Sequence, residues 1–191
     1  MAHVSIIGTG TMGSAIADIA KKGGNTVELL GSADTDKPVT GEIVVLAVPY
    51  AALAGIVAQR GEQLAGKVVV DITNPVDFTT FDSLVVAADG SATAEVAAAL
   101  PRSRVLKAFN TTFGATLASG TVGGQPTTVL IAGDDSDAKT SLAGIVTAAG
   151  LRAIDAGSLR RARELEAFGF LQLTLAAGEK IGWTGGFSVV A

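Results

Sequence analysis

Near the start of the chain, Gly8-Thr9-Gly10-Thr11-Met12-Gly13 sets three glycines in a G-x-G-x-x-G spacing, directly after the short strand-like run 3–7 and directly before a helical stretch, 11–22. The string alone is weak; its place between a strand and a helix gives it physical meaning. In that context Gly8 permits a tight turn, Gly10 lets the backbone approach a pyrophosphate, and Gly13 lets helix and strand pack closely. The helix N-terminus that follows offers N–H groups and a partial positive charge to phosphate oxygens. The spacing predicts a dinucleotide-binding turn; the alternative is a tight strand-to-helix turn that holds nothing.

The rest of the chain repeats this alternation. Short apolar runs rich in β-branched residues fall at 3–7, 26–30, 42–48, 67–72, 104–109, 127–132 and 151–155, and Ala-rich stretches at 11–22, 50–60, 92–100, 135–149 and 158–180 read as helices. Several of the runs are apolar throughout, as a strand buried on both faces of a parallel sheet must be. The expected fold is α/β: a Rossmann-like, doubly wound, mostly parallel sheet with a long C-terminal helix. No low-complexity linker or fixed-period repeat divides the sequence, so residues 1–191 are expected to form a single NAD(P)-binding Rossmann-like domain. The last helix carries Leu159, Ala162, Leu165, Ala167, Phe168, Leu171, Leu173 and Leu175. That apolar face is wide for a helix covering one side of a sheet, which suits either a homodimer contact or burial within the monomer.

Composition narrows the chemistry. There is no cysteine and one histidine, His3, so thiolate nucleophiles, disulfides and a His/Cys metal site fall away. His3 lies at the N-terminal end of the first strand and reads as structural. A net charge of −4 leaves no basic footprint for nucleic acid or an anionic membrane. Despite a mean hydropathy of +0.47, no apolar run approaches the ~20 residues of a membrane span. Glycines interrupt the N-terminus before any secretory h-region, so the cytoplasm is the expected location.

Which dinucleotide binds is decided at the tip of the second strand, Gly31-Ser32-Ala33. Glu28 has roughly the spacing of a ribose-binding acid but lies inside the strand, and is read as a decoy at a solvated position. Small neutral tip residues, helped by Lys37, favour the 2′-phosphate of NADP, while Asp34 and Asp36 oppose it. Only a short connection separates this tip from the third strand, too short for the usual helix. The third and fourth strands end in Ala47-Val48-Pro49-Tyr50 and Asp71-Ile72-Thr73-Asn74-Pro75. Each proline forces an extended path at the carboxyl edge of the sheet, where α/β proteins bind their ligands. The expected cofactor contacts are Gly8, Thr9, Gly10, Thr11, Met12, Gly13, Gly31, Ser32, Ala33, Ala47, Val48, Pro49, Tyr50, Thr73, Asn74 and Pro75.

The opening segment 5–17, the Ala-Val-Pro turn, the strand end Lys107-Ala108-Phe109-Asn110-Thr111, Ala132-Gly133-Asp134-Asp135 and the segment 153–159 occur in an order that resembles the NADP oxidoreductases dependent on the deazaflavin coenzyme F-420, in particular small NADP-binding dinucleotide oxidoreductases of bacterial type. The first 17 residues are also similar to pyrroline-5-carboxylate reductases, whose helical C-terminal domain has no room here. The resemblance to the deazaflavin-dependent family implies hydride transfer between NADPH and a deazaflavin stacked in one cleft. That family carries an arginine just after the Gly-Ser of the second strand tip, where this chain has Ala33.

Hydride transfer asks little of side chains, and no catalytic residue stands out. Lys107 and Asn110 straddle a strand end, where residues three apart are expected on opposite faces; Lys107 is read as a solvent or helix-end contact. Segment 110–125 is polar and Gly/Thr-rich, either a lid over the nicotinamide end or a surface excursion. Trp183 suits stacking on an acceptor or capping an interface. The expected activity is hydride transfer from NADPH to a small planar acceptor such as a flavin or deazaflavin; the alternative is a non-catalytic NADP(H)-binding sensor or scaffold.

Overall fold

The computed structural model describes residues 1–190. The chain runs β1 (His3–Ile7), α1 (Thr11–Lys22), β2 (Thr26–Leu30), β3 (Ile43–Leu46), α2 (Leu53–Leu64), β4 (Val68–Asp71), α3 (Ala92–Ala99), β5 (Arg104–Lys107), α4 (Gly114–Ser119), the two-stranded pair β6 (Thr121–Val122) and β7 (Gln125–Pro126), then β8 (Thr128–Gly133), α5 (Ser136–Ala148), β9 (Arg152–Gly157) and α6 (Ala162–Ala177). Single 3-10 turns, Tyr50–Ala52 and Leu159–Arg161, lead into α2 and α6.

Seven strands form one sheet in the order β2-β1-β3-β4-β5-β8-β9. All neighbours are parallel except β5 and β8. This is the mostly parallel, doubly wound sheet that the alternating sequence implies. All four residues of β3 and of β4 are buried, because helices cover both faces. The two-residue period sends Val4, Ile6, Ile43, Val45, Val68 and Val70 into a core under α1 and α5. Their neighbours Ile7, Val44, Leu46, Val69 and Val105 enter a second core under α2 and α3.

The strand order reverses at β1, which lies between β2 and β3. Register pairs Ile7 with both Leu30 and Leu46, Leu46 with Asp71, and Asp71 with Lys107. The residues that follow these ends therefore emerge side by side along one edge, at the switch point where open α/β sheets bind ligands. Residues 31–42 contain no helix, as the short connection requires.

Segment 110–125 departs from expectation. It holds α4 and the β6–β7 pair, because the Phe113 N–H donates to Thr116 Oγ1 and Gly120, at φ +77°, ends the helix in the left-handed region. A six-residue helix is too short to show a hydrophobic period, which is why the sequence reads as a loop.

Candidate active site

The turn after β1 is built by close approach. Gly8 has φ +114°, and a Cβ there would collide with the Ala47 carbonyl; a Cβ on Gly13 would collide with the Gly8 carbonyl. Gly10 differs: nothing lies within 4 Å of the place its Cβ would take. Gly10 also stands at the N-cap of α1, with no side-chain cap and no acid in the first turn. An uncapped twelve-residue helix facing open space beside a backbone with no side chain suits a pyrophosphate.

Beside it opens a cleft of about 360 Å³, lined by Met12, Ile72, Asn74, Asn110, Phe113 and Trp183 among others. The structure thus brings together the turn after β1, the end of β4 and the start of segment 110–125. Trp183 packs on Phe113 with ring centroids 5.1 Å apart yet keeps 53% of its surface exposed, so a face remains for a planar molecule. A larger concavity, about 480 Å³, lies between α2 and α3. It is apolar, lies away from the Gly8–Gly13 turn, and includes Tyr50, whose hydroxyl donates to Glu95 Oε2 at 2.8 Å. Burial and that carboxylate push the Tyr50 phenol up to about 12, so it stays a neutral donor. Tyr50 therefore turns toward α3, while Ala47 and Val48 of the same turn back Gly8.

At the β2 tip the Gly31 N–H donates to Asp34 Oδ2 at 2.8 Å, and Lys37 pairs with the same carboxylate at 2.8 Å. Lys37 and the Gly31 amide hold the Asp34 carboxyl below the usual carboxylate range. The buried Arg60 of α2, overlooked in the sequence, reaches under this loop and donates to the carbonyls of Asp34 and Lys37. Glu28 is not simply solvated. Its carboxylate accepts from Ser5 Oγ and from the amide and hydroxyl of Thr40, tying β1, β2 and the segment before β3 together. Burial raises its pKa, but these hydrogen bonds outweigh burial and leave it lowered. Its stabilisation is therefore full above the ordinary glutamate range and lost as pH falls through the lowered value. Glu28→Ala should cost about 1 kcal/mol, modest because solvent reaches the group, and urea unfolding at neutral pH measures it.

Lys107 corrects the sequence reading. It is fully buried, donating to Asp71 Oδ2 (2.8 Å), Glu166 Oε1 (2.9 Å) and the Thr73 carbonyl (2.6 Å). Beta5 is an inner strand covered on both faces, so its last residue has no route to solvent and its charge must be paired inside. Lys107 and Asn110 also do not diverge. Phe109, buried at φ +63°, turns the chain in the left-handed region, and Asn110 swings back to donate to the Leu165 carbonyl, next to Glu166. A bulky residue there stores about 1–3 kcal/mol of strain, held by the packing around it. Asn110 Nδ2 also donates to Asn74 Oδ1, and Asn74 Nδ2 to the Asn110 carbonyl, both at 2.9 Å. Asn74 is thus part of a rigid floor and not a loose side chain. Register gave the one available signal for the charge cluster: Asp71 and Lys107 are cross-strand partners.

Among the described residues no group of acids and histidines could hold a metal, and no helix is long and apolar enough to cross a membrane. Fold and cleft together define a dinucleotide-binding oxidoreductase of Rossmann type. No family model matches the sequence. The F420-dependent NADP reductase of Methanocaldococcus jannaschii is 30% identical over 154 residues, which span 78% of this chain and 69% of that protein. This chain belongs to the F420-dependent NADP reductase family. A solved structure from Arthrobacter sp. FB24, provisionally described as an F420-dependent NADP reductase, matches over 100% of both chains with a TM-score of 0.86 at 24% identity. The rat metalloreductase STEAP3 is 35% identical over 130 residues, 66% of this chain but 24% of that protein.

Proposed function

We propose that this chain works as a single dinucleotide-binding unit that takes NADPH along the edge from Gly31 to Asn110 and passes its hydride to a deazaflavin of the F420 type. The observation that carries the reading is the open approach at Gly10, at the uncapped N-terminus of α1, leading into the cleft under Trp183. Family membership favours a catalyst over a non-catalytic sensor.

The cofactors supply the hydride donor and acceptor; the protein supplies position and a dry site. In this assignment Thr9, Gly10, Thr11 and Met12 receive the pyrophosphate, with Gly8 and Gly13 setting the turn. Gly31, Ser32 and Ala33 take the adenosine ribose and its 2′-phosphate. Ala47, Val48 and Pro49 wall the site beside Tyr50, and Thr73, Asn74 and Pro75 meet the nicotinamide half. Phe113 and Trp183 cover the acceptor, excluding water from two rings held in contact. No side chain is assigned an acid or base role, because hydride passage between two such rings needs none at the protein.

The decisive experiment mixes purified protein and NADPH with F420 or with riboflavin phosphates and follows loss of NADPH absorbance. Turnover with F420 is expected; binding of NADPH without turnover on any of these acceptors would return the sensor reading. At the β2 tip, the Asp34 carboxylate occupies the Gly31 amide and faces the proposed phosphate. Asp34→Asn should tighten NADPH binding about threefold while leaving NADH within error, since the loss of one solvent-screened repulsive charge has only a small effect. Paired titrations check this.

The half-exposed Leu171 and the partly buried Leu175, one turn apart on α6, support a homodimer, and we propose the cytoplasm as its place of action. Sedimentation at micromolar concentration tests the dimer.

A further inference from the structure

We propose that the buried cluster of Lys107, Asp71 and Glu166 positions the nicotinamide half of the site, with Glu166 the residue through which α6 fixes the floor made by Asn74 and Asn110. The proposal rests on the cofactor reading above.

Lys107 has three N–H donors and three acceptors: Asp71 Oδ2, Glu166 Oε1 and the Thr73 carbonyl. Asp71 Oδ1 accepts from the Thr73 N–H at 2.9 Å. Thr73 is therefore held by both its backbone groups, one residue before Asn74. Glu166 closes the cluster from above. Its Oε2 accepts from the Ala92 N–H at 3.0 Å and its Oε1 from the Thr93 N–H at 3.3 Å, at the start of α3. The α3 N-terminus thus supports the second carboxylate that the single ammonium leaves unmatched.

The same stretch of α6 meets the floor directly. Leu165 gives its carbonyl to Asn110 Nδ2 at 2.8 Å, and Gly169, one turn on from Leu165, lies so close that a Cβ would strike Asn74 Oδ1 and the Asn110 carbonyl. Moving α6 moves both asparagines. They line the cleft, and Asn110 Oδ1 is buried without a hydrogen-bond partner, as is Thr73 Oγ1 one residue before Asn74. A buried acceptor without a donor is costly unless function uses it, and a carboxamide N–H is donor chemistry that suits Asn110 Oδ1. A buried ion group is in general weak evidence for stability, since it is often replaceable by apolar residues of similar volume at no loss.

The test is calorimetric titration of the full chain with NADPH and with 2′-phospho-ADP-ribose, which lacks the nicotinamide. Glu166→Gln keeps the shape but sets an amide donor against Lys107 or the α3 amides. It should weaken NADPH about tenfold and 2′-phospho-ADP-ribose less than about twofold, the selectivity expected of a misplaced floor. Gly169→Ala strikes the same floor without touching a charge and should give the same split, which checks the floor itself, while Glu166→Asp, which keeps the charge but shortens its reach to Lys107 and the α3 amides, decides the role of the cluster if Glu166→Gln does not fold. Equal losses for both ligands, or no loss for either, would overturn the proposal and leave the cofactor reading standing. Wild-type protein that binds neither ligand would overturn both.

Discussion

Gly10→Val is expected to weaken NADPH binding about a hundredfold while leaving a folded protein. The new side chain has room, since nothing lies within 4 Å of the Gly10 Cβ position, and the φ of −71° and ψ of −173° suit a β-branched residue. Exchanging one weak N-cap for a poorer one costs about 1 kcal/mol, or about 2–4 °C in Tm for a chain of this size. The loss falls on the ligand. If valine holds the pyrophosphate away from two amides worth about 1.5 kcal/mol each, affinity drops about a hundredfold. Circular dichroism melting and NADPH titration together read the result. Unchanged affinity would mean that the phosphates do not lie against this turn.

Gly8→Ala and Gly13→Ala should behave oppositely and lose stability before affinity can be measured, because each Cβ would meet a backbone carbonyl. The three glycines share a motif but separate by mechanism: two close the fold and one leaves open space at the N-terminus of α1. This division is legible in the sequence, since the roles follow from a strand, a tight turn and a helix in succession.

Other parts of the site could be read only in space. The strand ends Ala47–Pro49 and Thr73–Pro75 announce themselves by proline at a sheet edge, so their place was predictable. Lys107 did not, because a lone lysine at the end of an apolar run looks solvated until the strand is known to be an inner one. Asn110 misled for a local reason: strand periodicity holds only while φ stays negative, and Phe109 breaks it. Arg60 and Glu166 sit mid-helix, and their partners are 23 and 26 residues away in one case and 73 and 74 in the other. No local pattern encodes such pairings. The β2 tip is intermediate: its small residues were visible, while the capture of the Gly31 amide by Asp34 depends on how the loop closes over Arg60.

The cluster's stability makes the second large expectation. Lys107→Met removes the only cation facing Asp71 and Glu166 among the described residues and leaves two carboxylates in a dry interior. Breaking a buried ion group in this way costs about 3–5 kcal/mol, a large share of the 5–15 kcal/mol that holds a typical domain together. A Tm lowered by about 10 °C is expected, and urea unfolding should show the midpoint shifted at constant slope. The cost comes mainly from the stranded charges and not from the missing lysine. Lys107→Met combined with Glu166→Gln should therefore be less damaged than the sum of the single variants, with a coupling of at least about 1 kcal/mol. Strict additivity would show that the ammonium and the Glu166 carboxylate do not interact as the geometry requires, and would leave α6 tied to the floor of the cleft only through Leu165 and Gly169.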